Sequence, residues 1–95
     1  MAQQIASGFT GTDEVKDNPF GALQQATLMI EFVTAGDLDI KATPDSGTTV
    51  LGDAETYSSD TWDVLSPAPA ELVLDARNGA EVNVWLEKGQ YVEAR

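Results

Sequence analysis

Large apolar residues occupy alternate positions in two stretches of the chain, and each stretch is broken once by a glycine. Residues 70–87 read Ala-Glu-Leu-Val-Leu-Asp-Ala, then Arg-Asn-Gly, then Ala-Glu-Val-Asn-Val-Trp-Leu-Glu. A period of two predicts strands with one buried face, and Asn-Gly between two such runs is a strong hairpin signal. A two-residue turn at Asn78 and Gly79 would set Leu74 opposite Asn83 and mix the faces, because a one-residue slip turns every side chain over. A three-residue loop of Arg77, Asn78 and Gly79, with Gly79 left-handed, instead sets Leu74 opposite Val82, Leu72 opposite Val84 and Ala70 opposite Leu86. That register completes an apolar face and leaves Glu71 with Trp85, Val73 with Asn83 and Asp75 with Glu81 on the other.

Residues 28–42 follow the same pattern. Leu28, Ile30 and Phe32 precede a Thr34-Ala35-Gly36 loop, and Leu38, Ile40 and Ala42 return, so that Phe32 faces Leu38 and Glu31 falls opposite Asp39. Shorter strands are predicted over 48–51, 54–57, 61–65 and 90–94. In 61–65 Trp62 and Val64 share a face and Asp63 takes the other, while Pro67 and Pro69 end any ladder that follows. Turn signals recur at roughly the 8–12-residue spacing of all-β domains, and no stretch holds helical periodicity. The predicted fold is all-β, a small antiparallel β-sandwich or jelly-roll-like barrel. Two amphipathic hairpins imply two sheets, or one folded sheet, each burying a single face.

Residues 1–22 have a different texture. Gly8, Gly11 and Gly21, the acids Asp13, Glu14 and Asp17, and an Asn18-Pro19 turn surround only four large apolar residues, Ile5, Phe9, Val15 and Phe20. This reads as an extended N-terminal arm, with a short strand near 4–9, ahead of a domain over 23–95. Isolated apolar side chains in a polar arm suit docking into pockets of a neighbour, which makes these four candidate partner-binding residues.

Composition narrows the function. A single domain of 95 residues has a modest core, and with neither Cys nor His to staple it, self-association is the expected source of further stability. Five basic against sixteen acidic residues give a net charge of −11. Nucleic acid and anionic membranes are therefore excluded as expected partners, since both are bound through clustered cations. No apolar run exceeds three residues, as in Leu28-Met29-Ile30, which is too short for a membrane-spanning helix or a signal-peptide core.

Without His or Cys, the common nucleophile-base pairs and nitrogen or sulfur metal sites are missing. Paired carboxylates remain, Asp37 with Asp39, Asp53 with Glu55 and Asp60 with Asp63, but turn chemistry explains Asp at such places and a small sandwich has little room for a cleft. The reading is a protein that is not an enzyme and needs no cofactor. Calcium could relieve the expected like-charge pairs, Glu31 with Asp39 and Asp75 with Glu81, yet no EF-hand spacing is present and screened surface carboxylates account for them. Trp85 is more informative. With Val82, Val84 and Leu86 facing the core it faces outward, as an interface anchor or sugar-stacking platform would, whereas Trp62, Tyr57 and Tyr91 read as core or rim residues.

The opening Ser7-Gly8-Phe9-Thr10-Gly11-Thr12, followed by a compact acidic β-domain with the Trp62 strand in its middle, resembles small tailed-bacteriophage virion proteins, the decoration (cement) proteins of capsid exteriors. The resemblance implies a structural protein, commonly trimeric, whose arm and lower sheet edge clamp neighbouring subunits of the major capsid protein. It also implies synthesis in the host cytoplasm and a final place on the outer surface of the capsid. An alternative from the residues alone is a carbohydrate-binding or adhesion module with Trp85 and Tyr91 as platforms.

Overall fold

The alternating stretches do form strands, but these do not pair with their neighbours in sequence. The computed structural model describes residues 2–21, 25–43, 51–65 and 68–89. Its strands are β1 (Gln3–Phe9), β2 (Glu14–Asp17), β3 (Ala26–Thr34), β4 (Asp37–Thr43), β5 (Leu51–Tyr57), β6 (Thr61–Leu65), β7 (Glu71–Arg77) and β8 (Glu81–Lys88). They build two four-stranded sheets, ordered β1-β8-β3-β6 and β2-β7-β4-β5. All pairings are antiparallel, the two sheets pack as a sandwich, and no helix occurs among the described residues. The predicted antiparallel β-sandwich is thus the observed fold.

Both predicted hairpins are instead arches between the sheets. β7 pairs with β2 and β4 while β8 pairs with β1 and β3; likewise β3 lies in the first sheet and β4 in the second. Alternation dictates which face must be buried, and a facing sheet buries it as well as a lateral neighbour continues it. Leu72 and Leu74 on one wall and Val82, Val84 and Leu86 on the other share one core with Leu28, Ile30, Leu38 and Ile40, all at most 5% exposed. Every connection between consecutive strands except that from β4 to β5 passes from one sheet to the other.

The two glycines in these arches do different work. Asn78 (φ 58°) and Gly79 (φ 81°) are both left-handed, and the Ala80 N–H donates to the Arg77 carbonyl at 3.2 Å, a two-residue turn in place of the three-residue loop expected. Gly36 has no positive φ; its role is close approach. A Cβ on Gly36 would lie 2.6 Å from both the Cβ and the backbone N of Ala80, so the first arch nests against the second. Gly36→Ala is therefore expected to destabilise by about 1–3 kcal/mol as an overpacked contact. Adding Ala80→Gly should recover only part of the loss in a urea denaturation series, because backbone atoms supply two of the three nearest contacts. Full recovery would mean that the methyl groups alone are in conflict.

The stretch read as an N-terminal arm contains the short strand expected near 4–9, which is β1, and a second strand, β2. β1 is an edge strand of the first sheet, on β8, and β2 an edge strand of the second, on β7. Ala6 and Phe9 are both buried although three residues apart, a spacing that simple alternation forbids. A register shift between them, with Gly8 left-handed at φ 58°, turns Phe9 inward. Asn18 ends β2 as a buried knot: its side-chain Nδ2 donates to the Pro69 carbonyl at 3.0 Å, its Oδ1 accepts from the Phe20 N–H at 2.9 Å, and its own N–H donates to the Ala70 carbonyl.

The strands predicted over 48–51 and 54–57 correspond to the single strand β5, and 48–50 lies outside the described residues, as does the strand predicted over 90–94. On β6 Asp63 faces the interior edge, where its Oδ2 accepts from the Tyr57 hydroxyl at 2.8 Å and ties the second sheet to the first. Burial, and then this carboxylate, push the Tyr57 phenol far above its ordinary range. Tyr57 is in the core, as expected.

Candidate functional site

Because Leu28, Ile30, Val84 and Leu86 face inward, the residues between them must face out. Register then aligns one row across all four strands of the first sheet: Gln4 on β1 pairs with Trp85 on β8, Trp85 with Met29 on β3, and Met29 with Trp62 on β6. The two tryptophans stand two strand spacings apart, about 10 Å, with Met29 between them. Trp62 is 57% exposed; Val64, on the same strand and face, is 36% exposed, and Val33, farther along β3, is 56% exposed. Trp85 and Met29 are half-buried. Three of the four large apolar residues exposed among the described residues lie on this one face.

A shallow groove of about 280 Å³ lies in it, lined by Met29, Ile30, Glu31, Asp60, Trp62 and Trp85. Its carboxylates are held in place. Asp60 Oδ1 accepts from the Phe32 N–H at 2.7 Å, and Glu31 Oε1 accepts from Asn83 Nδ2 at 2.9 Å. Asn83 is itself oriented, since its Oδ1 accepts from the Gly8 N–H at 2.8 Å, so the bulge in β1 sets the groove's far wall.

The predicted partner-binding residues do not converge. Phe9 is buried in the core, Ile5 and Phe20 are half-buried and packed against it, and Val15 is exposed on the outer face of the second sheet. Trp85 alone lies on the aromatic face, and it does face away from the core. Trp62, expected in the core or at its rim, is the most exposed large apolar residue among those described. Its alternation with Asp63 was the available signal: the strand buries its acid toward Tyr57 and exposes its tryptophan, a reversal that only the partner strand reveals. Tyr91 lies outside the described residues.

The outer face of the second sheet is acidic. Asp39 stands between Asp75 and Thr56, and the Arg77 guanidinium grips it through Nε at 2.9 Å and Nη2 at 3.0 Å. The expected like-charge partners, Glu31 with Asp39 and Asp75 with Glu81, are not neighbours; Asp39 with Asp75 is the observed pair. Asp75 Oδ1 is buried without a hydrogen-bond partner, and among the described residues no three Asp or Glu are grouped to hold a metal ion. Asp60 and Asp63 point to opposite sides of β6 and make no pair.

Thr56 and then Arg77 hold the Asp39 carboxyl below its usual value, and Ser58 and Asn78 do the same for Asp37. A depressed carboxyl stabilises the fold above its unfolded pKa of about 4, and that contribution is lost as pH falls through the folded value. Asp39→Asn should therefore lower the melting temperature at neutral pH, with the gap from the unaltered protein closing below about pH 4. A gap constant from pH 7 to pH 2 would contradict this assignment.

Comparison with models of known protein families, with curated proteins and with solved structures finds no match.

Proposed function

We propose that the protein is a structural component of a phage virion, which binds the capsid exterior through the outer face of its first sheet and stabilises the shell by bridging neighbouring subunits of the major capsid protein. The observation that carries the reading is the row of Trp62, Met29 and Trp85, with Val64 next to Trp62 on the same face and Val33 farther along β3, on a domain of net charge −11. Contiguous exposed apolar surface of this kind marks a docking site, and aromatic residues dominate such interfaces energetically. The opposite face, with Asp37, Asp39 and Asp75, suits a soluble exterior. Self-association, as the trimer the resemblance implies, would multiply contacts with the shell. The protein is made in the host cytoplasm and ends on the virion surface.

Mass spectrometry of purified particles, followed by adding the recombinant chain back to stripped capsids, tests this. Stoichiometric presence and saturable rebinding are expected; absence from particles would overturn it.

One observation favours a second reading. Two tryptophans about 10 Å apart across a polar-rimmed groove also suit the apolar faces of a sugar chain. Under that reading Trp62→Ala abolishes retention on a glycan array while capsid binding is absent from the start.

A further inference from the structure

The groove between Trp62 and Trp85 is not simply apolar. Indole faces carry negative electrostatic potential, and Glu31 and Asp60 add two carboxylates to the same lining. Sugars use aromatic platforms without requiring charge, whereas this combination of ring faces and fixed carboxylates is that of a site for an organic cation. We propose that the groove receives one cationic side chain, an arginine guanidinium or a lysine ammonium, from a basic segment of the protein partner. The inference rests on the docking reading and names the chemistry of what docks.

Three further observations carry it. Each carboxylate is anchored through one oxygen, Asp60 by the Phe32 N–H and Glu31 by Asn83, and a carboxylate has about four acceptor sites, so both keep capacity for an incoming donor. Three of the chain's five cations are engaged away from the groove: Arg77 grips Asp39, Lys41 lies 3.4 Å from Asp13, and Lys16 lies 3.8 Å from Glu14. Lys16 also stands 5.4 Å from the centroid of the Phe9 ring, so the molecule already pairs a cation with an aromatic face and a carboxylate. Finally, a net charge of −11 raises the local concentration of basic partners and repels acidic ones.

With two tryptophans in the chain, their indole N–H resonances report on the groove directly in ¹H–¹⁵N spectra. The probe is N-acetyl-arginine amide at physiological ionic strength, set against N-acetyl-citrulline amide, which is nearly isosteric and neutral. Arginine is expected to shift both indole signals saturably, and citrulline to bind at least about tenfold more weakly. Glu31→Gln and Asp60→Asn keep the oxygens that hold Asn83 and Phe32, and each should weaken arginine binding several-fold. Asp17→Asn, the same change of charge on β2, should leave it unaltered. Equal shifts from citrulline, or an equal loss in Asp17→Asn, would overturn the proposal. So would indole shifts from cello-oligosaccharides with none from arginine, which would assign the groove to a glycan. Rebinding to stripped capsids without arginine binding removes this inference alone; arginine binding without capsid binding removes the virion reading and leaves the groove.

Discussion

Leu74→Ala is expected to destabilise the fold by about 2–5 kcal/mol, the range for a buried leucine truncated in a core that cannot collapse around the void. Leu74 is fully buried on β7, flanked by Glu14 on β2 and Ile40 on β4, and it packs against the opposite sheet. A sandwich of two sheets has one interior layer, so nothing behind β7 can move in to fill the gap. Domains of this class have about 5–15 kcal/mol in total. The urea midpoint should therefore fall steeply for Leu74→Ala and stay within about 0.5 kcal/mol for Val33→Ala, which truncates an exposed residue. A loss below about 1 kcal/mol for Leu74→Ala would place that leucine outside the core.

Trp62→Ala should show the opposite profile. With more than half of its surface exposed, the side chain contributes little to folding, and the urea midpoint should move by no more than about 1 kcal/mol. Its loss should cost the docked complex at least about 2 kcal/mol, or about 30-fold in affinity for stripped capsids, as for an aromatic anchor near the middle of an interface. Val15→Ala, on the outer face of the second sheet, should bind as the unaltered protein does. Equal affinity of Trp62→Ala and Val15→Ala would remove the aromatic face from the interface.

Strand positions and their buried faces were legible in the sequence because burial imposes a period of two: Leu72, Leu74, Val82, Val84 and Leu86 are all in the core, and Trp85 faces away from it. Pairing was not legible. An amphipathic strand-turn-strand satisfies the same pattern as a hairpin within one sheet or as an arch between two, and Arg77-Asn78-Gly79-Ala80 makes a turn with left-handed residues in either case. The deciding contact, Gly36 against Ala80, joins residues 44 positions apart and leaves no local trace. The short strand expected near 4–9 is β1, but its inward face and its place in the first sheet were obscured by the bulge, since the odd spacing of Ala6 and Phe9 breaks simple alternation.

For the candidate site, one of its two tryptophans was predicted to face outward. Trp85 sits in a strand whose inner face is unambiguous. Trp62 sits in a short edge strand whose inward residues are Asp63 and Leu65, and an inward acid on an edge strand inverts the usual pattern. Only alignment through Met29 places the two tryptophans in one row.

The proposed docking surface is the Trp62, Met29 and Trp85 face. Hydroxyl-radical footprinting of the protein free and rebound to stripped capsids measures this directly. Oxidation of Trp62, Met29 and Val33 should fall several-fold on binding while that of Val15 is unchanged. Protection of Val15 with Trp62 as reactive as in the free protein would contradict the account and place the docking surface on the opposite sheet.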